Sequence, residues 1–270
     1  MAKQQFFDEA YGLKLPENYE RFFVPAIGEP LAHDLIRQAS LRPGARVLDV
    51  ACGTGIVARL AYQQAGSNGT VAGLDVNPGM VAVARSVTPA DMSVEWYESG
   101  AEDMPLPDES FEVVLCQISL QFMTDKLAAL REMRRVLVPG GHLILNLPGP
   151  AGNIFAVLAK AMERHISSQA AEFVTHVFSL HDTTEIQKLL NEADFRDIAV
   201  QADLKMLTLP PPKEFLWQYV QSTPLGGMVA NVDEEALAAL ERDVVEEWQD
   251  FEADGSLTYH QRIVVASARK

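Results

Sequence analysis

From Arg46 onward the chain alternates short apolar runs with stretches of helical periodicity, and this alternation constrains the fold more than any other feature. Val47-Leu48-Asp49-Val50 reads as a strand, Ile56 to Gln64 as a helix, and Val71-Ala72-Gly73-Leu74-Asp75 as a second strand. Met80 to Val87 is helical, Val94-Glu95-Trp96-Tyr97 is a third strand, and Phe111 to Ile118 is a fourth. Lys126 to Leu137 is a helix stopped by Pro139-Gly140-Gly141, and His142 to Leu147 is a fifth strand. The fourth run is almost continuously apolar, as expected of a strand covered on both faces. Strands alternating with helices pair in parallel through right-handed crossovers, so the expected core is a doubly wound α/β sheet.

The flanks are less regular. Up to about Leu41 the chain mixes aromatics (Phe6, Phe7, Tyr11, Tyr19, Phe22, Phe23) with charge, then places Leu31, Leu35, Ile36 and Ala39 on one helical face. Tyr19 and Phe23 belong either to a lid or to an aromatic cluster tying this helical preface to the core. After Pro148-Gly149-Pro150 come a helix over Asn153 to His165 and another from Asp182, whose Asp182-Thr183-Thr184-Glu185 start fits an N-cap followed by Glu. Arg196 to Thr208 and Tyr259 to Ala268 are strand candidates, separated by a short helix around Phe215 to Val220 and a long one from Asp233.

Charge narrows the range of functions. The 270 residues carry 37 acids and 22 bases, a net charge of −15. Ten acids between Asp233 and Asp254, against Arg242 alone, supply −9 of it, and Leu237, Leu240, Val244, Trp248 and Phe251 recur there at helical spacing. That stretch reads as a helix with one packed and one solvated face. No basic patch is available to displace counterions from a phosphate backbone, so a nucleic-acid partner is not expected. Arg131, Arg134 and Arg135 read as a solvated helix face. Cys52 and Cys116 have no metal-ligand spacing, so no metal is expected. Reduced cysteines, no secretory leader and no apolar run long enough to span a bilayer together suggest a cytoplasmic protein.

The strongest chemical signal is the turn Asp49-Val50-Ala51-Cys52-Gly53-Thr54-Gly55 between the first strand and its helix. Glycines there let a ligand approach the backbone, and the helix N-terminus favours polar or anionic groups. Gly53-Thr54-Gly55-Ile56-Val57-Ala58 also satisfies the loose dinucleotide pattern, with Asp75 20 residues past Gly55 where a ribose-binding acid would sit. A nicotinamide-dependent oxidoreductase is therefore one reading. Three features favour another. Asp49 puts a carboxylate where it would repel a pyrophosphate and attract an ammonium or a sulfonium. Gly100-Ala101-Glu102-Asp103-Met104-Pro105 follows the third strand, and Leu137-Val138-Pro139-Gly140-Gly141-His142 precedes the fifth.

Together these motifs, from about Arg42 to Leu147, resemble the class I S-adenosylmethionine-dependent methyltransferases, in the group that includes the ubiquinone/menaquinone-biosynthesis-like enzymes (methyltransferase type 11). The resemblance implies a Rossmann-like, seven-stranded, mostly parallel sheet with helices on both faces and a C-terminal antiparallel hairpin. It divides the chain into a helical preface, 1–41, and a methyltransferase domain, 42–270. Within the latter, 42–150 is the cofactor-binding core, 151–258 the substrate side with a helical lid insertion, and 259–268 the closing strand. The implied cofactor is S-adenosyl-L-methionine, with S-adenosyl-L-homocysteine as product, and the implied acceptor is a small organic molecule.

The resemblance also assigns residues. Ala51, Gly53, Thr54 and Gly55 would wrap the methionine part of the cofactor, with Asp49 orienting the loop or meeting the amino group. Asp75 would take both ribose hydroxyls, since two syn oxygens suit a vicinal diol. Val76 and Met80 would pack near the adenine, and Ala101 and Glu102 would read its edge. Many relatives carry Asp or Asn at the position of Gly100, so Glu102, Asp103 or a backbone carbonyl would substitute there. Gln117 and Gln121 would line the meeting point of cofactor and acceptor. Several relatives have His where Gln121 stands, and Gln cannot take a proton. His176 and His181, like His165, are the remaining candidate bases. Methyl transfer is an in-line displacement that can rely on alignment and exclusion of water. A cofactor-binding protein that has lost catalysis is the non-enzymatic alternative, and the acceptor atom and oligomeric state stay open.

Overall fold

The computed structural model describes residues 14–270. Phe6, Phe7 and Tyr11 of the preface lie outside the described residues. The chain forms two compact units: a core unit of residues 28–147, 180–203 and 263–270, and a second unit of residues up to 27 with 148–179 and 204–262.

In the core unit the alternation produces the expected order. Helix α2 (Glu29–Ala39) is followed by β1 (Arg46–Val50), α3 (Ile56–Ala65), β2 (Thr70–Asp75), α4 (Pro78–Val87) and β3 (Val94–Glu98). Then come β4 (Phe111–Gln117), α5 (Lys126–Val136), β5 (Leu137–Pro148), α8 (Thr183–Glu192), and the start of β6 (Arg196–Leu209) and end of β8 (Ser256–Arg269). Local chemistry sets the helix starts: Asn77, Asp125 and Asp182 each accept main-chain N–H bonds from the first turn behind them. Strand β5 begins before Pro139-Gly140-Gly141, earlier than the sequence predicts, because Leu137 pairs with Phe111 ahead of a register shift to Val113↔His142.

The sheet order is β3-β2-β1-β4-β5-β8-β6, with β1 parallel to β2 and β4, β2 to β3, and β4 to β5. The chain runs from β1 outward to β3 and returns to β4 beside β1. The ends of β1 and β4 therefore form the topological switch point, where ligands bind in open α/β sheets. Strand β8 lies antiparallel to β5: Lys270 N–H donates to Gly141 O at 3.0 Å, and Gly149 N–H to Arg262 O at 2.6 Å. A two-residue β7 (Glu252–Ala253) pairs antiparallel with β8 and is the eighth strand beside the seven expected. Leu48, Val50, Val114, Leu143, Leu145, Leu130 and Met133 are buried together in the sheet–helix core.

The second unit begins with α1 (Leu15–Asn18) and a π-helix, Tyr19–Gly28, that contains Pro25 and runs into α2. Helices α6 (Asn153–His165), α7 (Ser168–Val177), α9 (Pro212–Gln221), α10 (Leu225–Val229) and α11 (Glu234–Trp248) make up most of the rest. Phe155 sits at its centre, with ring centroids 5.0 Å from Phe178, 5.1 Å from Tyr219 and 5.4 Å from Tyr259. The acidic helix α11 buries Leu240, Val244 and Trp248, as its spacing predicts. Two of its acids are paired: Glu241 with Lys213 and the Trp217 indole, Asp243 with Arg164 and His165. Among the described residues, no helix is long and apolar enough to cross a membrane, and no metal-ligating cluster occurs.

Candidate functional site

The turn after β1 needs left-handed backbone at Ala51 (φ 56°), Gly53 (φ 54°) and Gly55 (φ 87°). Such angles cost a glycine almost nothing and a side-chain-bearing residue more. Within the turn Cys52 N–H donates to Leu74 O at 3.0 Å and Gly55 N–H to Cys52 O at 2.9 Å. The Arg59 guanidinium donates to Thr54 O at 2.6 Å. Thr54 is buried and its Oγ1 has no hydrogen-bond partner.

Two carboxylates brace this turn. Asp49, 1% exposed, accepts from Ala58 N–H at 3.1 Å, in the first turn of α3. Asp75, 9% exposed at the end of β2, accepts from Gly53 N–H at 2.8 Å and from Asn77 N–H at 2.9 Å. Burial raises the Asp49 carboxyl well above its ordinary range, repulsion from Asp75 adds to this, and the Ala58 N–H and Arg59 offset part of it. Burial likewise raises Asp75, against the lowering effect of the Asn77 and Gly53 N–H groups. Asp49 thus orients the loop, one of the two roles expected of it. Its carboxyl is also easier to protonate than a surface acid, which weakens the argument from pyrophosphate repulsion. Burial and both carboxylates raise the Cys52 thiol, so it stays protonated.

Beside Asp75, Val76 stands 62% exposed, one of the few large apolar side chains the structure leaves in solvent, and Met80 is half-buried in the first turn of α4. Glu102 accepts from Thr124 N–H at 3.1 Å, tying the loop after β3 to the approach to α5. Its other oxygen would lie 3.3 Å from a side chain placed on Gly100, so this carboxylate occupies the space beside that glycine. Ala101 is buried. Arg135 is not simply part of a solvated face: it binds Glu132, Asp108 and the carbonyls of Met104 and Leu106, which fixes the loop carrying Asp103 to Asp108.

At the end of β4 the structure builds a second group. Gln117 Nε2 donates to Gly28 O at 3.0 Å, and its Oε1 accepts from Asn146 Nδ2 at 3.3 Å. Ile118 N–H donates to both the main-chain oxygen and Oδ1 of Asn146 and holds a left-handed φ of 49°, a strained conformation for a β-branched residue. Gln121 is fully buried; its Nε2 donates to Ile118 O at 3.1 Å and its Oε1 has no partner. Ser119 Oγ, 3.5 Å from Ala51 O, links this group to the glycine turn. Of the histidines, His165 is held by Asp243 at 2.8 Å, His176 lies in the last turn of α7 in the second unit, and His181 precedes α8 in the core unit.

Sequence reasoning missed Asn146 and Trp96. The Trp96 ring lies over Gly55 and Gly73, where an added Cβ would come within 2.3 Å and 2.4 Å of it. An aromatic residue on β3, two positions before the strand end, is the only signal the sequence carries for this contact.

A doubly wound sheet with a glycine turn at the switch point, an acid ending β2 and an antiparallel closing strand defines the class I methyltransferase fold. Residues 48–145 match the family described as "Methyltransferase domain", so this segment is similar to that family. A curated relative, the ubiquinone/menaquinone biosynthesis C-methyltransferase UbiE of Xanthomonas oryzae pv. oryzae, is 42% identical over 110 residues. That match covers 40% of this chain and 44% of the relative, so the chain spans under half the length of the curated protein. A Bacillus halodurans structure named provisionally as a methyltransferase superposes with a TM-score of 0.60 at 24% identity, over 88% of this chain and 98% of that one. The phosphoethanolamine N-methyltransferase 2 of Haemonchus contortus, solved with S-adenosylhomocysteine, gives 0.56 at 21% identity over 89% and 52%. At these identities the two structures bear on the fold alone.

Proposed function

We propose that this chain transfers a methyl group from S-adenosylmethionine to a small organic molecule. The observation that carries the reading is Asp75: a nearly buried carboxylate at the end of β2, braced by Gly53 and Asn77 N–H groups, with exposed Val76 beside it. Each Asp75 oxygen takes one N–H bond and retains a lone pair, so the pair can accept both hydroxyls of a ribose. Val76 and Met80 offer an apolar seat for a purine, and Glu102, over Gly100, supplies an acceptor for its amino edge. The unpartnered Thr54 Oγ1 fits a polar ligand at the turn. When bound, S-adenosylmethionine supplies an electrophilic methyl group on a sulfonium centre.

Asp49 acts through Ala58 to set the turn, while Gln117 is committed to Gly28 and Asn146 and so shapes the wall rather than binding ligand. Gln121 cannot remove a proton. The residues brought together at the switch point therefore position and desolvate, which suits an acceptor that is nucleophilic without a protein base. The buried, unpaired Cys52 and Cys116 suit a reducing cytoplasmic setting.

Calorimetric titration tests the reading. S-adenosylhomocysteine should bind, and Asp75→Asn should weaken it about 10- to 100-fold, the loss of one or two charge-assisted hydrogen bonds. Binding of NAD(H) without S-adenosylhomocysteine would show the oxidoreductase instead. Cofactor binding with no turnover across a panel of small acceptors would favour the silent binder.

A further inference from the structure

Strand β2 carries a glycine, Gly73, directly opposite Trp96 of β3. With no side chain there, the Trp96 ring lies across β2: a Cβ on Gly73 would come within 2.4 Å of its Cζ3, 2.6 Å of its Cε3 and 3.1 Å of Cys52 Sγ. The same six-membered ring reaches Gly55, presenting Cη2, Cζ3 and Cζ2 to it. The strand that carries the ring is tied to α4: Arg85 donates to Trp96 O at 3.0 Å and pairs with Glu98. One rigid side chain of β3 thus fills the hollow over Gly73 and supports the last residue of the glycine turn. The turn needs that support, because Ala51 holds a left-handed φ of 56°, and such backbone persists only where its surroundings over-determine it.

We propose that Trp96 is a positioning residue for the cofactor: acting through Gly55, it holds the turn at the place where Gly53 N–H meets Asp75. The inference rests on the methyltransferase reading of this site. A smaller side chain at 96 would leave a hollow over Gly73 into which the turn can settle. Gly53 N–H, 2.8 Å from Asp75 Oδ2, would then move off the carboxylate and leave it free to rotate. Binding groups keep their geometry only when packing locks the residues that carry them, and a displacement of about 1 Å can cost about 100-fold. A tryptophan that only packed the core would lower stability when removed and leave ligand affinity as it was.

Calorimetric titration of the full chain with S-adenosylhomocysteine tests this. Trp96→Leu should weaken binding by about tenfold or more. Leu130→Ala, a cavity in the buried core on α5, should lower the unfolding midpoint with affinity unchanged. The pH profile separates positioning from packing. Gly53 and Asn77 N–H groups favour the ionised Asp75. The charged groups around it are Asp49 of β1 and Arg59 of α3, with Glu98 of β3 opposite it in register and paired to Arg85 of α4. Trp96→Leu alters none of these charges, so a turn that moves off Asp75 should shift the rise of affinity to higher pH; Leu130→Ala should not. Affinity within about twofold of wild type in Trp96→Leu, or an unmoved pH profile, overturns the proposal. A wild-type chain that takes up no S-adenosylhomocysteine overturns the methyltransferase reading with it. If Trp96→Leu does not fold, Trp96→Phe, which lacks the second ring, decides by the same two measurements.

Discussion

Gly55 meets two independent constraints, and their separation gives a quantitative test of the turn. Its φ of 87° is strained for any side-chain-bearing residue, a cost of about 1–2 kcal/mol for Ala. A methyl group there would also lie 2.3 Å from Cη2 and 3.0 Å from Cζ3 of Trp96. The ring cannot easily swing away, because its other edge packs on Gly73, where a Cβ would lie 2.4 Å from Cζ3. Over-packing of this kind costs about 1–3 kcal/mol. Gly55→Ala should therefore destabilise the chain by about 2–5 kcal/mol, read from equilibrium unfolding in urea by far-UV circular dichroism. In a Trp96→Leu background only the backbone part should remain, so the double-mutant cycle should return a coupling of about 1–3 kcal/mol. A coupling below about 0.5 kcal/mol, the level expected of independent sites, would refute the claim that Trp96 is what makes Gly55 obligatory.

Two further outcomes follow from the buried polar groups. Asn146→Leu leaves Gln117 Oε1 without its donor and removes one of the two acceptors for Ile118 N–H, so a loss of about 1–3 kcal/mol and faster amide exchange at Ile118 are expected; unchanged exchange would count against the network. Asp75 has a raised pKa in the folded chain, so the native state binds more protons than the unfolded one above the ordinary carboxylate value of about 3.9. Its contribution to stability is fully present below that value and is lost as pH rises through the native pKa. Binding of a ribose requires the ionised form, so S-adenosylhomocysteine affinity should rise with pH over the same window with proton release, measurable by calorimetry in buffers of different ionisation enthalpy. A pH-independent affinity would contradict the assignment of Asp75.

The parts of the fold that sequence reading recovered are those in which each element signals itself. Val47, Leu48 and Val50 are apolar and fully buried because β1 is covered on both faces, so a short apolar run broken only by Asp49 announces it. Asp182 capping Thr184 and Glu185 is equally local. Helix α7 was missed although Ser167 caps it and Ala170, Phe173 and Val174 recur at helical spacing, because it follows α6 with almost no linker. The π-helix over Tyr19–Gly28 contains Pro25, which reads as a breaker in the sequence. In the candidate site the glycine turn and both acids were legible as a motif, whereas the bond from Gly53 to Asp75 spans 22 residues. The bond from Gln117 to Gly28 spans 89. Pairings across such distances depend on strand order, and no local pattern encodes them.

The same distance explains how two acids come to share one buried turn. Asp49 and Asp75 lie on neighbouring parallel strands, Asp75 one residue beyond the partner of Val50, so both project toward the starts of α3 and α4. Helix N-termini favour negative charge, and here Ala58 N–H reaches Asp49 while Asn77 N–H reaches Asp75. Even so, burial dominates and both carboxyls are raised. The unliganded turn therefore holds two acids whose ionised forms are less stable than in water. A ligand that brings a positive charge to the turn and hydroxyl donors to Asp75 would favour the ionised form of both. A neutral or anionic ligand would lack the positive charge, so under the proposed function the charge state of the turn would favour a ligand that carries a cation as well as a ribose.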